Sequence, residues 1–324
     1  AYHLAYGEDY PIPTFFTTPW PSRNALLDMF QRTAEEQGIM PYMRLNTNVK
    51  NMSIVNKDKS FTGPRALAVE RYELTTETME AGMLRYGKLV ANSSDDSNEQ
   101  DFHASCVCMF PGNLTLPRQE TYKGEDVFEG DIGYGMFNEI DYHKLEGLNV
   151  TIVGHGAFAV ENIRTCCEFG VGQIYLVCRR RNLACPRVAS WMANRSFNPL
   201  NNVRYMKTTE PMYDLIGIDP WGYHSVQTNE KRSVCQITQK ARFGIGDIYF
   251  LTIYMGKTEL VVEPQGVKRL AKHEVHLQSG RKLECHAVLK LLGLVGEMEN
   301  DRIMKVKELV GFWVNEDPRR YLVA

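Results

Sequence analysis

The sequence predicts an α/β fold with a parallel sheet, and three observations in one short stretch predict it. Asn149-Val150-Thr151-Ile152-Val153 is a buried-type strand that runs straight into the small-residue turn Gly154-His155-Gly156-Ala157-Phe158-Ala159. Helical spacing follows from Ala157 to Phe169 and stops at Gly170. A second apolar run, Gln173 to Cys178, comes next. Strand, glycine turn, helix and strand in that order is the sequence form of a parallel βαβ unit.

The other elements can be read in chain order. The first 22 residues are rich in Pro, Tyr and Thr and end in Pro19-Trp20-Pro21-Ser22, an irregular lead to a helix N-cap at Ser22. Residues Asn24 to Gln37 form a helix with Leu26, Leu27, Phe30 and Ala34 on its inner face, and Gly38 stands where a left-handed C-terminal residue is expected. Met43 to Val49 alternates as a strand. Ala66-Leu67-Ala68-Val69 and Arg71-Tyr72-Glu73-Leu74 read as hairpin strands, residues 91–100 as a polar loop, and Ala104 to Phe110 as a short buried strand stopped by Pro111-Gly112. A Pro/Gly-rich polar connection then reaches Asp131. Beyond the βαβ unit, Asp247–Tyr254, Thr258–Val262, Glu274–Leu277 and Lys282–Leu289 are candidate strands, the last two joined by a turn at Ser279-Gly280. Helical spacing returns from Asp301 to Gly311.

Bulk properties narrow the function classes. The formal net charge of -2 gives no global attraction to nucleic acid or an anionic membrane, so any anion site must be local. The longest apolar stretch, Phe243 to Met255, is broken by Asp247 and falls short of the ~20 residues a bilayer span needs, so no transmembrane helix is expected. The 8 cysteines show no C-x-x-C pair or zinc spacing, and most sit in apolar runs. They point to an intracellular, reducing compartment, cytoplasmic or organellar. Sequons occur at Asn51, Asn92, Asn113, Asn149 and Asn194, but a glycan at Asn149 would obstruct the most apolar strand, so they read as accidental. The chain opens at Ala1 without Met and without a signal-type segment, which suggests a processed chain or a fragment.

The chemistry of a dinucleotide pyrophosphate explains each small residue of the turn. Gly154 permits the tight bend, Gly156 lets backbone approach the phosphates, and Ala159 lets helix and strand pack closely, while the N–H groups from Ala157 onward face the anion. About 20 residues beyond such a turn, NAD-specific sites place an acid on the ribose hydroxyls. Arg179, Arg180 and Arg181 stand there instead. Guanidinium groups bind a 2′-phosphate bidentately, so the charge pattern favours NADP(H) over NAD(H). Arg179 and Arg180 are the candidate 2′-phosphate ligands, and His155 fills a variable slot as a turn residue.

Other residues weigh less. His273 and His276, three apart in a presumed strand, point to opposite faces and do not share a metal. Asp131, Glu139 and Asp141 read as a solvated acidic face. Trp191, Trp221 and Trp313 read as core rather than pocket lining, and Cys166-Cys167 as packing against the sheet.

Several stretches together resemble the flavin-containing monooxygenases and their Baeyer–Villiger relatives. Pro21-Ser22-Arg23, with its helix to Gly38 and the strand Leu45–Val49, looks like the segment after that family's flavin fingerprint. Phe110 to Pro117 looks like its A-T-G-x-x-x-x-P linker, and Phe128-Glu129-Gly130 like the start of F-x-G-x-x-x-H-x-x-x-Y/W. The turn with Glu161 matches the NADPH fingerprint, and Ser279-Gly280-Arg281 through Leu291-Leu292-Gly293 looks like the return to the flavin domain. The sequence departs at Tyr134 and Asn138, where the signature has its histidine and final aromatic, and at Pro111 and Leu292, where the A-T-G threonines would stand.

The resemblance implies a Rossmann-like NADP-binding domain, 148–290, inserted in an incomplete FAD-type domain made of 1–147, which includes the linker, and the return segment 291–324. It implies NADPH reducing FAD, with a flavin hydroperoxide oxygenating a small-molecule soft nucleophile or ketone. The flavin fingerprint would precede Ala1, and nothing in residues 1–147 replaces it. The alternative is a degenerate, non-catalytic member serving as a structural or accessory subunit of a larger assembly.

Overall fold

A computed structural model of the protein describes residues 23–56, 69–78, 84–85, 88–89, 99–110, 116–135, 139–195, 201–295 and 299–305. Ser22 and the segment before it, residues 66–68, Pro111, Gly112, Asn138, Trp313, the side chain of Trp191 and the 306–311 part of the last helical stretch lie outside them.

The elements run α1 (Arg23–Glu36), β1 (Thr47–Asn56), β2 (Val69–Thr78), β3 (Leu84–Arg85), β4 (Lys88–Leu89), β5 (Glu99–Ala104), β6 (Leu116–Pro117), β7 (Asp131–Gly133), β8 (Val150–Val153) and α2 (Ala157–Glu168). There follow β9 (Ile174–Cys178), β10 (Ala184–Cys185), α3 (Arg187–Arg195), α4 (Asn202–Leu215), β11 (Val226–Thr228), β12 (Cys235–Ile237), β13 (Gly244–Ile245) and α5 (Asp247–Tyr254). The chain continues through β14 (Thr258–Val262), β15 (Val267–Ala271), β16 (Glu274–Leu277), β17 (Lys282–Glu284), β18 (Ala287–Lys290), β19 (Leu294–Val295) and α6 (Glu299–Ile303).

The α/β class with a parallel sheet is what the structure shows. Five parallel strands lie in the order β14-β9-β8-β18-β7. Alternation along them sorts the core into two layers. Val150, Ile152, Ile174, Leu176, Ala287 and Leu289 pack with α2, α4 and α5, whereas Val153, Val177 and Val288 pack with the β15-β16-β17 meander. Both faces are covered, which is why β8 and β18 are buried along their whole lengths. β7 is drawn from the segment that reads in sequence as linker. A side chain at Gly130 would place its Cβ 2.2 Å from the His286 carbonyl, so glycine lets β7 lie against β18.

Some expectations are corrected. The stretch 247–254 is the helix α5 and not a strand. Its run Ile248–Ile253, apolar apart from Thr252, shows neither period, while a connection into the parallel strand β14 requires a crossover. Asp247 also fits a first helical turn, accepting a hydrogen bond from the Arg187 amide at 2.9 Å. Lys282–Leu289 is two strands, β17 in the meander and β18 in the main sheet, separated at Cys285-His286.

In α1, Met29 and Thr33 are buried and Leu27 and Phe30 are not. Leu26-Met29-Thr33 and Leu27-Phe30-Ala34 are both i, i+3, i+7 stripes, and spacing alone cannot choose between them. Gly38 does take the left-handed conformation, at φ 64°. The first strand begins at Thr47 because Asn46, at φ 53°, breaks the extended run. β1, β2 and β5 form an antiparallel sheet, so Val69–Thr78 is one strand pairing with both neighbours. The strand expected over Ala104–Phe110 ends at Ala104, and Cys106, Cys108 and Phe110 are exposed. Among the described residues no strand pairs beyond Ala104, and a run buried on both faces needs neighbours to cover it.

Candidate dinucleotide-binding site

β8 ends where two neighbouring strands constrain the turn. The Gly154 amide donates to the Val177 carbonyl of β9, and the Leu291 amide, just past β18, donates to the Val153 carbonyl, each at 2.8 Å. Gly154 sits at φ 126°, and an added Cβ would lie 2.2 Å from the Leu291 carbonyl oxygen. Only glycine satisfies both demands. Gly156 is different: it is the N-cap of α2 at φ -106°, and a Cβ there would meet nothing closer than Ala241 at 4.0 Å. The backbone is therefore open on that side. Ala159 is fully buried against the sheet.

The Ala159 and Val160 amides turn back to the Gly156 carbonyl, at 3.1 and 3.2 Å, so the donors of Ala157 and Phe158 lie ahead of the helical ladder. No carboxylate occupies the first turn of α2, and Glu161 is paired outward with Arg164 at 2.7 Å. The N-terminus thus presents amide donors and the positive end of the helix dipole with nothing opposing an anion. It opens between β8 and β18, where connections leave the sheet in opposite directions, which is where open α/β sheets take their ligands.

Arg179 and Arg180 follow the last residue of β9 and are exposed. They share the carboxyl edge of the sheet with the glycine turn. Arg181 is also exposed, and its charge acts inward on His155 and Tyr223.

His155, the turn residue in the variable slot, is buried at 6% exposed. Its Nδ1 accepts the Asn182 amide at 2.7 Å, its carbonyl accepts the Asn182 side-chain amide at 2.8 Å, and its Nε2 lies 2.9 Å from the Tyr249 hydroxyl of α5. With Nδ1 accepting, Nε2 carries the proton and donates to Tyr249. Burial first, and then the Arg181 charge, push the imidazole down to about 4, so it is neutral around pH 7. Nothing in the sequence spacing marks this contact.

A second unforeseen group is Lys290, at the end of β18 and 2% exposed. Its ammonium donates to the Glu120 carbonyl and pairs with Glu125, each at 2.8 Å. It also lies 5.5 and 5.3 Å from the ring centroids of Tyr122 and Tyr134. The Tyr134 amide is held in turn by the Glu139 carboxylate. A buried lysine so enclosed fastens the segment ahead of β7 to the main sheet.

The lesser candidates stay apart from this edge. His276 bonds to Glu274 and Arg269, while His273 pairs with Glu129, so the two histidines share no ligand. Among the described residues no cluster of three or more His, Cys, Asp or Glu could hold a metal. Trp221 is buried, donates to Glu210 at 3.0 Å and lies under Arg232, which is a packing role. Cys166 and Cys178 are buried free thiols pushed up to about 12, and Cys167 is half-buried. Asp131 and Asp141 are exposed, with Asp141 capping a short helical turn through the His143 amide. No helix among the described residues is long and apolar enough to cross a membrane.

No family model matches the sequence, and no curated protein is similar to it at a significant level. Solved structures are. The fold is similar to that of an oxidized steroid monooxygenase bound to NADP, with TM-score 0.57 and 12% identity over 93% of this chain and 62% of that one. A polycyclic ketone monooxygenase from the thermophilic fungus Thermothelomyces thermophila gives TM-score 0.55 and 13% identity over 89% and 53%. OTEMO in complex with FAD and NADP gives TM-score 0.55 and 14% identity over 87% and 59%. The chain therefore spans between 53% and 62% of the length of these three. At such identities the likeness is one of fold: a mixed α/β protein with a parallel sheet, built like the Baeyer–Villiger and related flavin monooxygenases.

Proposed function

We propose that the chain binds NADP(H), with Gly154, Gly156, Ala157 and Ala159 forming the pyrophosphate turn and Arg179 and Arg180 taking the 2′-phosphate. The observation that carries this reading is the pair of exposed guanidinium groups just past β9, on the same sheet edge as a helix N-terminus whose first turn holds no acid. The residues fit the cofactor in two further respects. Gly156 leaves backbone uncovered where a phosphate must approach, and the Ala157 and Phe158 amides are free of the helical ladder. Bound NADPH supplies a hydride; the protein's part is to hold the adenosine end by charge and backbone donors.

The wider reading is an NADPH-dependent flavin monooxygenase-like protein acting on a small soft nucleophile or ketone. It rests on the fold, since one neighbour is bound to NADP and another to FAD and NADP. The described residues do not fit FAD. Their other strand-to-helix junction with a glycine pair, Gly244 and Gly246, packs Gly244 on Val160 and leads into Asp247, whose carboxylate opposes a phosphate. Flavin chemistry thus requires a site outside the described residues, and the domain division 1–147, 148–290 and 291–324 belongs to the same proposal, with β7 of the first segment completing the sheet of the second.

The test is the double substitution Arg179→Ala with Arg180→Ala. Charge-assisted hydrogen bonds to a phosphate are worth about 1.5–3 kcal/mol, so NADP+ should bind at least about tenfold more weakly, with NAD+ little changed. Equal losses for both dinucleotides overturn the assignment. A purified protein that binds NADP+ and carries the yellow flavin band supports the monooxygenase reading, and a colourless one that binds NADP+ supports the accessory subunit.

A further inference from the structure

We propose that His155 is a positioning residue for cofactor choice: it clasps the glycine turn to the arginine loop and so places Arg179 and Arg180 for the 2′-phosphate of NADP(H). The inference rests on the NADP(H) reading above and adds the residue that makes the discrimination work.

Two arginines on a loop discriminate only if the loop is held at a fixed distance from the pyrophosphate turn. A mobile loop loses ordering entropy on binding and gives up much of the gain. Here the loop is held at both ends. At Cys178 it leaves β9, which the sheet fixes on both sides through β8 and β14. At Asn182 it meets His155, to which Asn182 donates two hydrogen bonds, from its backbone amide to His155 Nδ1 at 2.7 Å and from its side-chain amide to the His155 carbonyl at 2.8 Å. Arg179, Arg180 and Arg181 span the gap between these anchors.

The clasp lies within the turn itself, because His155 separates Gly154 from Gly156. Its ring is held from behind by the Tyr249 hydroxyl, which accepts from Nε2 at 2.9 Å and leaves Nδ1 free to accept from Asn182. The loop beyond is continued into the fold by Leu183, whose amide donates to Gln239 at 2.6 Å, and by Ala184, whose amide donates to the Tyr213 hydroxyl at 2.7 Å. The pyrophosphate turn and the 2′-phosphate loop are therefore one rigid piece joined at His155.

The test compares NADP+ and NAD+ affinities by titration of the intact chain. His155→Phe keeps an aromatic ring, slightly larger than imidazole, and removes both polar contacts of the side chain. It should lower the preference for NADP+ over NAD+ by about fivefold or more, one to two hydrogen bonds' worth. His155→Asn, whose side-chain oxygen can replace Nδ1, should restore most of it. Asn182→Ala, which breaks half of the clasp outside the core, should lower the preference severalfold and stands in if His155→Phe does not fold.

In the Arg179→Ala, Arg180→Ala background, His155→Phe should have no further effect on the NADP+ to NAD+ ratio, because it acts through those arginines. A merely structural histidine would weaken both dinucleotides alike in either background. If the double arginine variant abolishes the preference while His155→Phe and Asn182→Ala both leave it within twofold, the inference is wrong and the cofactor reading stands. A wild-type chain with no preference for NADP+ overturns both.

Discussion

Gly154 and Gly156 are two residues apart and are glycines for opposite reasons, which makes them a sharp pair to test. Gly154→Ala puts a Cβ on the Leu291 carbonyl at a left-handed φ of 126°, and should cost about 3 kcal/mol or more of stability, read as a lowered urea midpoint. Gly156→Ala has room at an ordinary φ of -106°, so its melting temperature should hardly move. Its NADP+ affinity should fall if a phosphate approaches that backbone. The type of each glycine was legible from the fingerprint, but which one the fold itself demands was not, because that depends on a carbonyl 137 residues away, just past a neighbouring strand.

His155 carries a pH prediction on the same scale. Its pKa falls from 6.5 to about 4 on folding. Between those values the unfolded chain binds a proton that the folded one refuses, so this contribution is complete above pH 6.5 and is lost as pH drops toward 4. From pH 7 to 4.5 the loss is about 2 kcal/mol, and urea unfolding of His155→Phe should show that much less acid sensitivity than wild type. Equal acid sensitivity in the two proteins would contradict the buried neutral imidazole.

Among the elements, short apolar runs bounded by glycine or charged residues were the legible ones. β8, β9, β14 and β16 lie at or within a residue of where the apolar runs put them. The helix α5 was misread because an apolar run without period carries no sign of its own conformation; tertiary demand for a crossover decides it. The face of α1 was misread because the stripe that turns inward, Leu26-Met29-Thr33, includes a threonine and is the less apolar of the two. Tyr213 on α4 shows how such an element is then fixed. Its hydroxyl both accepts from the Ala184 amide at 2.7 Å and donates to the Ala184 carbonyl at 2.9 Å, in the interior. Tyr213→Phe leaves both groups unpaired and should cost about 2–3 kcal/mol in denaturant unfolding, well above the cost of losing an exposed hydroxyl.

At the scale of the whole molecule, the main sheet takes strands from distant parts of the chain, and no local pattern announces that. β7 joins from residues 131–133, which read as linker, since a three-residue strand lies below the reach of periodicity. Lys290 fastens this region: its ammonium bonds to Glu120 and Glu125 from the end of β18. Lys290→Met should destabilise by about 2–4 kcal/mol by leaving Glu125 without its cation, and adding Glu125→Gln should recover part of it. Failure of the second change to recover anything would mean that the ion pair is not what holds the segment.

If the edge where β8, α2 and β9 meet selects NADP(H), calorimetric titration of the wild-type chain with NADP+ and NAD+ under identical salt will show it. Saturable NADP+ binding at least about tenfold tighter than NAD+ is expected, the worth of a charge-assisted phosphate contact. Equal affinities, or tighter binding of NAD+, would contradict it.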